Sequence, residues 1–362
     1  MVDVTLWATL ILAAFAGGAF GAALGALPAF IFTGFMVIAG EAANIAGGEA
    51  EPAANPEALA ALAITDSIGF GPVFGPHIAF AGGAAATAYA AKKGYMDTGF
   101  DYHEGKNILY AFGTHNKDVL VVGGLFGILG LLIAEGSGIV GAPWDPIAFA
   151  VVISAFAHRA AFGYDLVGKS GGKNALDMQP FVNEEIRMAE GAAEADGGTE
   201  TDGGVEPGAA EQRLVTEPWL PHQYEWDGVA LLGFVVGILG AFIALETGSP
   251  FLAFGISAAS LVFLNCGVEK IPVTHHISLP ASTAALAAFA TFGGNVFLAL
   301  LIGSVFGILS ALFGELFQRV VYAHGDTHVD PPAAAIVFGT MLVALCALVG
   351  IFDTAVWVPL PF

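Results

Sequence analysis

Histidine and hydroxyl side chains occur in two otherwise apolar stretches of this sequence. His77 follows a Gly-Pro pair in "GFGPVFGPHIAFAGG", and His276 lies in the similar stretch "EKIPVTHHISLPAS". A helix that begins after such a Gly/Pro break points free backbone N–H groups and its positive dipole end at whatever it faces, and His77 and His276 would stand at two such starts. No Lys or Arg lies in the following apolar segments, so we predict a path for a small anion or a small neutral solute. The residues predicted to line it are His77, Thr87, His275, His276, Ser282 and Thr283.

Other interpretations of these histidines stay open. A His between a loop and a helix often only caps the helix or extends to the membrane interface. Two His from different segments also suit a metal ion, but no Cys or carboxylate stands at a matching spacing. We therefore predict no metal and no cofactor.

Three further polar residues are candidates for binding a coupling ion. Glu41 lies deep in the apolar stretch "MVIAGEAANIAGG", while Asp66 and Asn265 precede the two His-containing stretches. An ionisable residue inside a membrane segment is a functional candidate by default. Each of these residues could equally be a polar residue at the end of a helix.

Composition places the chain in a membrane and argues against several other functions. It has 362 residues, of which 56% are hydrophobic and only 12% charged, and its mean hydropathy is +0.75. A soluble protein carries about 25% charged residues. The net charge of −21 has the wrong sign for nucleic acid. The sequence has no phosphate-binding loop, HExxH or nucleophile elbow, so we predict that the chain is not an enzyme.

An apolar phrase occurs twice. Residues 111–135 and 291–315 align without gaps, with ten of 25 positions identical. The flanking blocks follow in the same order, placing His77 over His276 and Asp145 over Asp330. The order of the blocks indicates a duplication.

Each copy contains five apolar segments, so we expect an all-α membrane protein of about ten spans. An odd number of spans per copy inverts the second copy in the membrane. Short or Gly/Pro-broken helices are expected at residues 64–83 and 269–286. The predicted spans are 5–27, 29–47, 76–92, 118–136, 145–164, 227–246, 250–267, 276–293, 296–319 and 331–351.

The positions of the basic residues favour one orientation. If both termini lie outside the cell membrane, all eleven Lys and Arg residues fall on the cytoplasmic side, as the positive-inside rule requires. Four spans per copy in the same orientation would expose some of these residues outside. We therefore predict a multi-pass protein of the plasma membrane with two inverted five-helix copies.

An acidic segment separates the two copies. Residues 177–217 hold eleven acidic residues and only two Arg, a composition that buries too little apolar surface to fold. The predicted organisation is a first transmembrane repeat at 1–164, a disordered cytoplasmic linker at 165–225 and a second transmembrane repeat at 226–362.

The two inverted copies and the His77/His276 pair resemble the architecture of the ammonium and urea channel superfolds. This resemblance implies a homo-oligomer, with a trimer favoured, and one pore in each protomer. The aromatic gate and pore motifs of those channels are missing here, so their substrates are not implied. In overall composition the chain is similar to uncharacterised haloarchaeal multi-pass membrane proteins.

Two functions follow as hypotheses. The first is a channel or secondary transporter for a small solute, with its path between the two copies. The alternative is a structural membrane protein that assembles through its Gly- and Ala-rich faces and does not transport. The first requires a path between the copies, whereas the second requires a dry, fully packed interface.

Overall fold

The computed structural model describes residues 4–49, 63–187 and 213–361, and regular structure there is almost entirely helical. The helices of this part of the chain are α1 (Val4–Leu24), α2 (Ala26–Glu49), α3 (Ala79–Lys92), α4 (Lys117–Ile139), α5 (Pro146–Phe162), α6 (Gln179–Val182), α7 (Trp226–Thr247), α8 (Leu252–Ala259), α9 (Val262–Asn265), α10 (His275–Thr291), α11 (Val296–Phe317) and α12 (Pro331–Leu348). Two π-helical turns lie at Ile64–Gly69 and Gln318–Tyr322, and a 3-10 turn lies at Glu104–Lys106. The prediction of a mostly helical protein is confirmed.

Six helices in the described ranges are long and apolar enough to cross a membrane. They are Val4–Leu24, Ala26–Gly47, Lys117–Ile139, Trp226–Thr247, Val296–Tyr322 and Pro331–Leu348. The sequence predicted about ten spans. At the other four predicted positions the helices are shorter than the roughly 20 residues that a full crossing needs, because Gly, Pro or loop residues interrupt them. These four positions hold α3, α5, the α8–α9 pair and α10.

The short helices α3 and α10 form the centre of the molecule. Eleven of the fourteen residues of α3 and thirteen of the seventeen of α10 are buried. In contrast, α1, α4, α7 and α11 carry large exposed apolar side chains, such as Leu125 and Leu231. A helix that is apolar on all sides and buried on all sides belongs to the interior of a helical assembly.

The same helix pairs pack against each other in both halves of the chain. In the first half, α1, α3 and α4 pack together, α5 lies against α3 and α4, and α2 lies against α3. In the second half, α7, α10 and α11 pack together, α12 lies against α10 and α11, and α8 lies against α10. The halves meet mainly where α2 packs on α8 and where α5 packs on α12.

Two helices begin with the same local signal. Asp145 caps α5 by accepting from the backbone N–H groups of Ile147 and Ala148, and Asp330 caps α12 by accepting from that of Ala333. A proline follows each Asp at the first helical position, where its missing N–H costs nothing. These starts could be predicted from sequence because both effects are local.

The linker region is partly folded. Within the range predicted to be disordered, residues 165–187 and 213–225 pack against the helices. They include α6 and the antiparallel strands β1 (Ile186–Arg187) and β2 (Arg213–Leu214). The composition of 177–217 misleads at its two ends, where specific contacts to the helices compensate for the low apolar content. The middle of the predicted linker, 188–212, lies outside the described residues.

Candidate functional site

A cavity of about 660 Å³ lies between the two halves. Small-molecule sites usually have volumes of about 300–1,000 Å³. Its walls come from α2, α3 and α5 of the first half and from α8, α10 and α12 of the second. Its lining includes Phe30, Asp66, Phe70, Pro76, Phe80, Asp101, Lys106, Asp145, Ala148, Trp219, Phe251, Phe254, His275, Tyr322, His328, Asp330, Ala333 and Trp357.

The cavity follows two antiparallel helices, α5 and α12. Near the start of α5, the backbone N–H of Asp145 donates to Thr340 Oγ1 at 3.0 Å. Near the end of α5, His158 Nε2 lies 3.0 Å from Oγ1 of Thr327, just before α12 begins. Asp145 is level with Thr340, and at about 1.5 Å per residue the ten residues from Asp330 to Thr340 separate Asp145 and Asp330 by roughly 15 Å along the helix pair. Because both line the cavity, the cavity reaches toward both ends of the helix pair.

Aromatic rings form much of the wall. The Phe30 ring lies 5.9 Å from that of Phe80, 6.0 Å from that of Phe254 and 4.7 Å from the imidazole of His275. The Phe251 ring lies 5.3 Å from that of Phe70. Pairs with such tilted geometry are favourable beyond the area they bury, so the wall is both apolar and defined in shape.

At one end of the cavity, a buried ion pair joins segment 213–225 to the first half. Lys106 Nζ lies 2.7 Å from Glu217 Oε2, and both side chains are at most 2% exposed. The ammonium also lies 4.5 Å from the centre of the Tyr322 ring. Burial lowers the pKa of Lys106 to about 8, with the Glu217 carboxylate acting in the opposite direction. Trp219 of the same segment also lines the cavity.

Of the six residues predicted to line a path, His275 lines this cavity. Its Nδ1 is buried and has no hydrogen-bond partner among the described residues. His276 is also buried, but its imidazole faces the Trp219 ring, 5.9 Å away. His77 is buried too, and its backbone carbonyl lies directly against Gly130 of α4. The matched pair His77/His276 is therefore part of helix packing and not of the cavity wall.

The three predicted hydroxyl residues are fully buried among helices. Thr87 Oγ1 donates to the carbonyl of Gly83 in its own helix, and Ser282 Oγ donates across to Gly240 of α7, both at 3.0 Å. Thr283 Oγ1 donates to Leu279 and accepts from Trp357 Nε1. These hydrogen bonds satisfy the hydroxyl groups within the protein.

The three ion-coupling candidates lie in different places. Glu41 is buried and connects the halves, because its carboxylate accepts from Thr65 Oγ1 and from Ser249 Oγ, each at 2.6 Å. Asp66 is exposed and lies on the cavity lining, while Asn265 is exposed at the end of α9. The structure does not bring the three together. Within the described ranges, no group of three or more His, Cys, Asp or Glu residues could hold a metal.

Sequence reasoning missed three residues that line the cavity, Lys106, Asp145 and Asp330, and it also missed Glu217, the partner of Lys106. Asp145 and Asp330 were considered only as aligned positions, although the Asp-Pro pair at the start of each aligned block indicates the start of a helix. Lys106 was counted only as a loop charge, and Glu217 was assigned to the disordered linker. Nothing local in the sequence pairs these last two residues.

His103, next to this ion pair, provides a pH-dependent prediction. Its Nδ1 accepts from the backbone N–H of Gly105 at 3.0 Å, and burial, with Arg213 adding to it, lowers its pKa to about 4. The unfolded chain binds this proton below about pH 6.5, whereas the folded chain binds it only near pH 4. Stability is therefore expected to fall as the pH drops from 6.5 toward 4.

The variant His103→Asn keeps a side-chain acceptor but does not titrate. Melting temperatures in detergent at pH 7.5 and 5.0 are expected to differ less in this variant than in the wild type. The same decrease in both proteins would contradict the assignment.

Comparison with known proteins identifies a family and no individual relative. A family described as "family of unknown function (DUF7973)" matches residues 1–361. No curated protein and no solved structure matches the chain. The haloarchaeal and channel resemblances therefore stay predictions.

Proposed function

This chain belongs to the DUF7973 family of unknown function, and we propose that it is a polytopic membrane channel or secondary transporter for a small solute. The solute path runs through the cavity between the two halves. The observation that carries the proposal is the cavity itself, since both halves line it and it follows the antiparallel α5–α12 pair. Inverted-repeat transporters bind their substrates at this kind of interface.

The repeat is part of the proposal, and close helix contacts support it. A Cβ on Gly21 of α1 would collide with the carbonyl of Ala79, and one on Gly240 of α7 would lie 3.0 Å from that of Ser278. The sequence alignment that places His77 over His276 also places Ala79 over Ser278. The contacts between halves join α2 to its counterpart α8 and α5 to its counterpart α12, as a two-fold axis between the halves requires.

We propose ten membrane-crossing segments in two inverted sets of five, four of them short or broken. Both termini lie outside the plasma membrane and the linker lies in the cytoplasm. Lys106 and Arg213 support this orientation, because they come from separate segments predicted to be cytoplasmic and meet in one cluster. Lys106 pairs with Glu217, and Arg213 Nη2 lies 2.6 Å from Asp326 Oδ1.

A scaffolding role requires a dry, fully packed interface between the halves, and the cavity argues against it. The exposed apolar faces of α1, α4, α7 and α11 suit contact with lipid. Assembly into a homo-oligomer, with a trimer favoured, rests on the architectural resemblance.

The charges on the cavity favour a neutral or cationic solute over an anion. Asp66, Asp101, Asp145 and Asp330 line the cavity, while its Lys106 is already paired with Glu217. An anion would therefore meet more negative than positive charge. The sequence predicted a small anion or a small neutral solute, and this proposal keeps the neutral solute but replaces the anion with a cation.

Two tryptophan substitutions test the path. Ala148 and Ala333 stand three residues after Asp145 and Asp330, and both are buried on the cavity wall. Ala148→Trp and Ala333→Trp are each expected to fill part of the cavity and reduce flux at least about tenfold, because the added indole occupies volume through which the solute must pass. Flux into liposomes would be measured for ammonium, urea, chloride, nitrate, formate, Na⁺ and choline.

The matched control is Leu231→Trp on α7. The Leu231 side chain is 64% exposed and does not line the cavity, so the added volume does not enter it. This variant is expected to transport like the wild type. Absence of wild-type flux for every solute, or unchanged flux in both folded cavity variants, would overturn the proposal in favour of the scaffold.

A further inference from the structure

Asp145 is a buried carboxylate with one unused oxygen on the cavity wall. The residue is only 6% exposed. Oδ1 accepts from the backbone N–H groups of Ile147 at 2.8 Å and Ala148 at 3.2 Å. In the described part of the chain, Oδ2 accepts no hydrogen bond and no Lys, Arg or His forms a salt bridge with this carboxylate.

The equivalent residue in the second half differs in this respect. Asp330 Oδ1 lies 3.0 Å from His328 Nε2, and Oδ2 accepts from the backbone N–H of Ala333 at 2.8 Å. Helix capping alone therefore explains Asp145 Oδ1, but it does not explain why Asp145 Oδ2 is left without a partner. A buried carboxylate needs hydrogen bonds or a cation to offset its lost hydration.

A chain of contacts through α12 and α10 connects Asp145 to three aromatic rings of the cavity wall. The backbone N–H of Asp145 donates to Thr340 Oγ1 of α12, and the neighbouring Gly339 contacts Pro280 of α10. One turn further along α10, Thr283 Oγ1 accepts a hydrogen bond from Trp357 Nε1. The Trp357 ring lies 5.1 Å from that of Phe251, which contacts Phe70. All three rings line the cavity.

We propose that the cavity binds an organic ammonium ion, a positively charged nitrogen with small apolar substituents. Asp145 Oδ2 offsets the charge, and Phe70, Phe251 and Trp357 contact the substituents. Aromatic faces attract such cations because the ring quadrupole is negative at the face. This inference rests on the proposed function, because it names the substrate class of the same cavity.

A bare inorganic cation fits this wall less well. Hard cations such as Ca²⁺ take about six to eight oxygen ligands, whereas the lining of this cavity is mainly aromatic and aliphatic. An organic ammonium ion is weakly hydrated and needs no such ligand set.

Binding of choline tests the assignment against a neutral molecule of the same shape, 3,3-dimethylbutan-1-ol. Calorimetric titration of the purified full-length protein in detergent is expected to show saturable choline binding and binding of the alcohol at least about tenfold weaker, a difference typical of a desolvated charge pair. Asp145→Asn, which retains helix capping, is expected to weaken choline binding at least about tenfold and to leave binding of the alcohol unchanged. Asp145→Ser, another capping residue, is expected to behave the same way.

The control is Asp118→Asn, because Asp118 is an exposed residue at the start of α4 and is expected to have no effect. Equal binding of choline and the alcohol, or unchanged choline binding in both folded Asp145 variants, would overturn the inference. The inference would also be overturned if Na⁺ bound in a way that depends on Asp145 and choline did not bind. Flux of another solute that the Trp variants block, without choline binding, would overturn this inference and leave transport standing. Choline binding without any flux would overturn transport and keep the binding site.

Discussion

Glu217→Gln is expected to lower the free energy of unfolding by about 3–5 kcal/mol, the usual cost of leaving one charge of a buried pair without its partner. Lys106 would keep its position under Tyr322 but lose the carboxylate 2.7 Å away. Burial already lowers its pKa to about 8 in the presence of Glu217, so the variant is expected to lower it further. Above that pKa the folded chain carries a neutral amine, and the loss should therefore be smaller at pH 9 than at pH 6. Denaturant unfolding in detergent at both pH values measures it.

The double variant Lys106→Met with Glu217→Gln is expected to recover most of this stability, because removing both charges removes the desolvation cost. Arg187→Gln is the comparison, since Arg187 lies 3.8 Å from Asp326 with both side chains about one-third exposed. An exposed pair of this kind contributes at most about 1 kcal/mol. A Glu217→Gln protein as stable as the wild type, with no gain in the double variant, would show that the pair does not hold segment 213–225.

Features that depend on local sequence could be predicted. Asp145 and Asp330, each followed by Pro, begin helices at the expected positions because capping involves only neighbouring residues. The long apolar helices α1, α7 and α11 could likewise be predicted from the length and composition of their sequences. The broken stretches before α3 and α10 follow from their Gly and Pro residues.

Features that depend on tertiary packing could not be predicted. His275 and His276 are neighbours in α10, so they point about 100° apart on the helix, and only the packing of Phe30 and Trp219 determines which one faces the cavity. The Lys106–Glu217 pair joins distant parts of the chain. The acidic composition around Glu217 predicts disorder, whereas this one carboxylate is buried against a cation.

Whether a polar side chain is free to bind a ligand can also be seen only in the structure. The sequence alignment makes Asp145 and Asp330 equivalent, and both begin a helix. Only the hydrogen bonds show that His328 occupies one oxygen of Asp330 while Oδ2 of Asp145 stays unused. Two residues that the alignment makes equivalent therefore differ in hydrogen bonding, and of the two only Asp145 keeps a carboxylate oxygen without a partner among the described residues.

Gly130→Ala is expected to destabilise the protein by about 2–3 kcal/mol, the cost of forcing added atoms into a packed interior. A Cβ at Gly130 would collide with the backbone carbonyl oxygen of His77 and lie 2.7 Å from its carbonyl carbon. Backbone atoms cannot rotate away as a side chain can, so the segment before α3 would have to move away from α4. Pro76 precedes His77 and lines the cavity, so choline binding and flux are also expected to fall.

Gly136→Ala in the same helix separates this clash from helix propensity. Gly136 is exposed, and a Cβ there would meet no atom within 4 Å, so only the propensity gain of about 1 kcal/mol for Ala over Gly remains. This variant is expected to melt at or above the wild-type temperature in detergent, whereas Gly130→Ala melts below it. Equal melting temperatures for the two variants would mean that α4 and the segment before α3 can separate at little cost. A cavity wall that moves so easily could not keep Asp145 and the rings at fixed positions, so this pair of variants also tests whether the cavity is a preformed site.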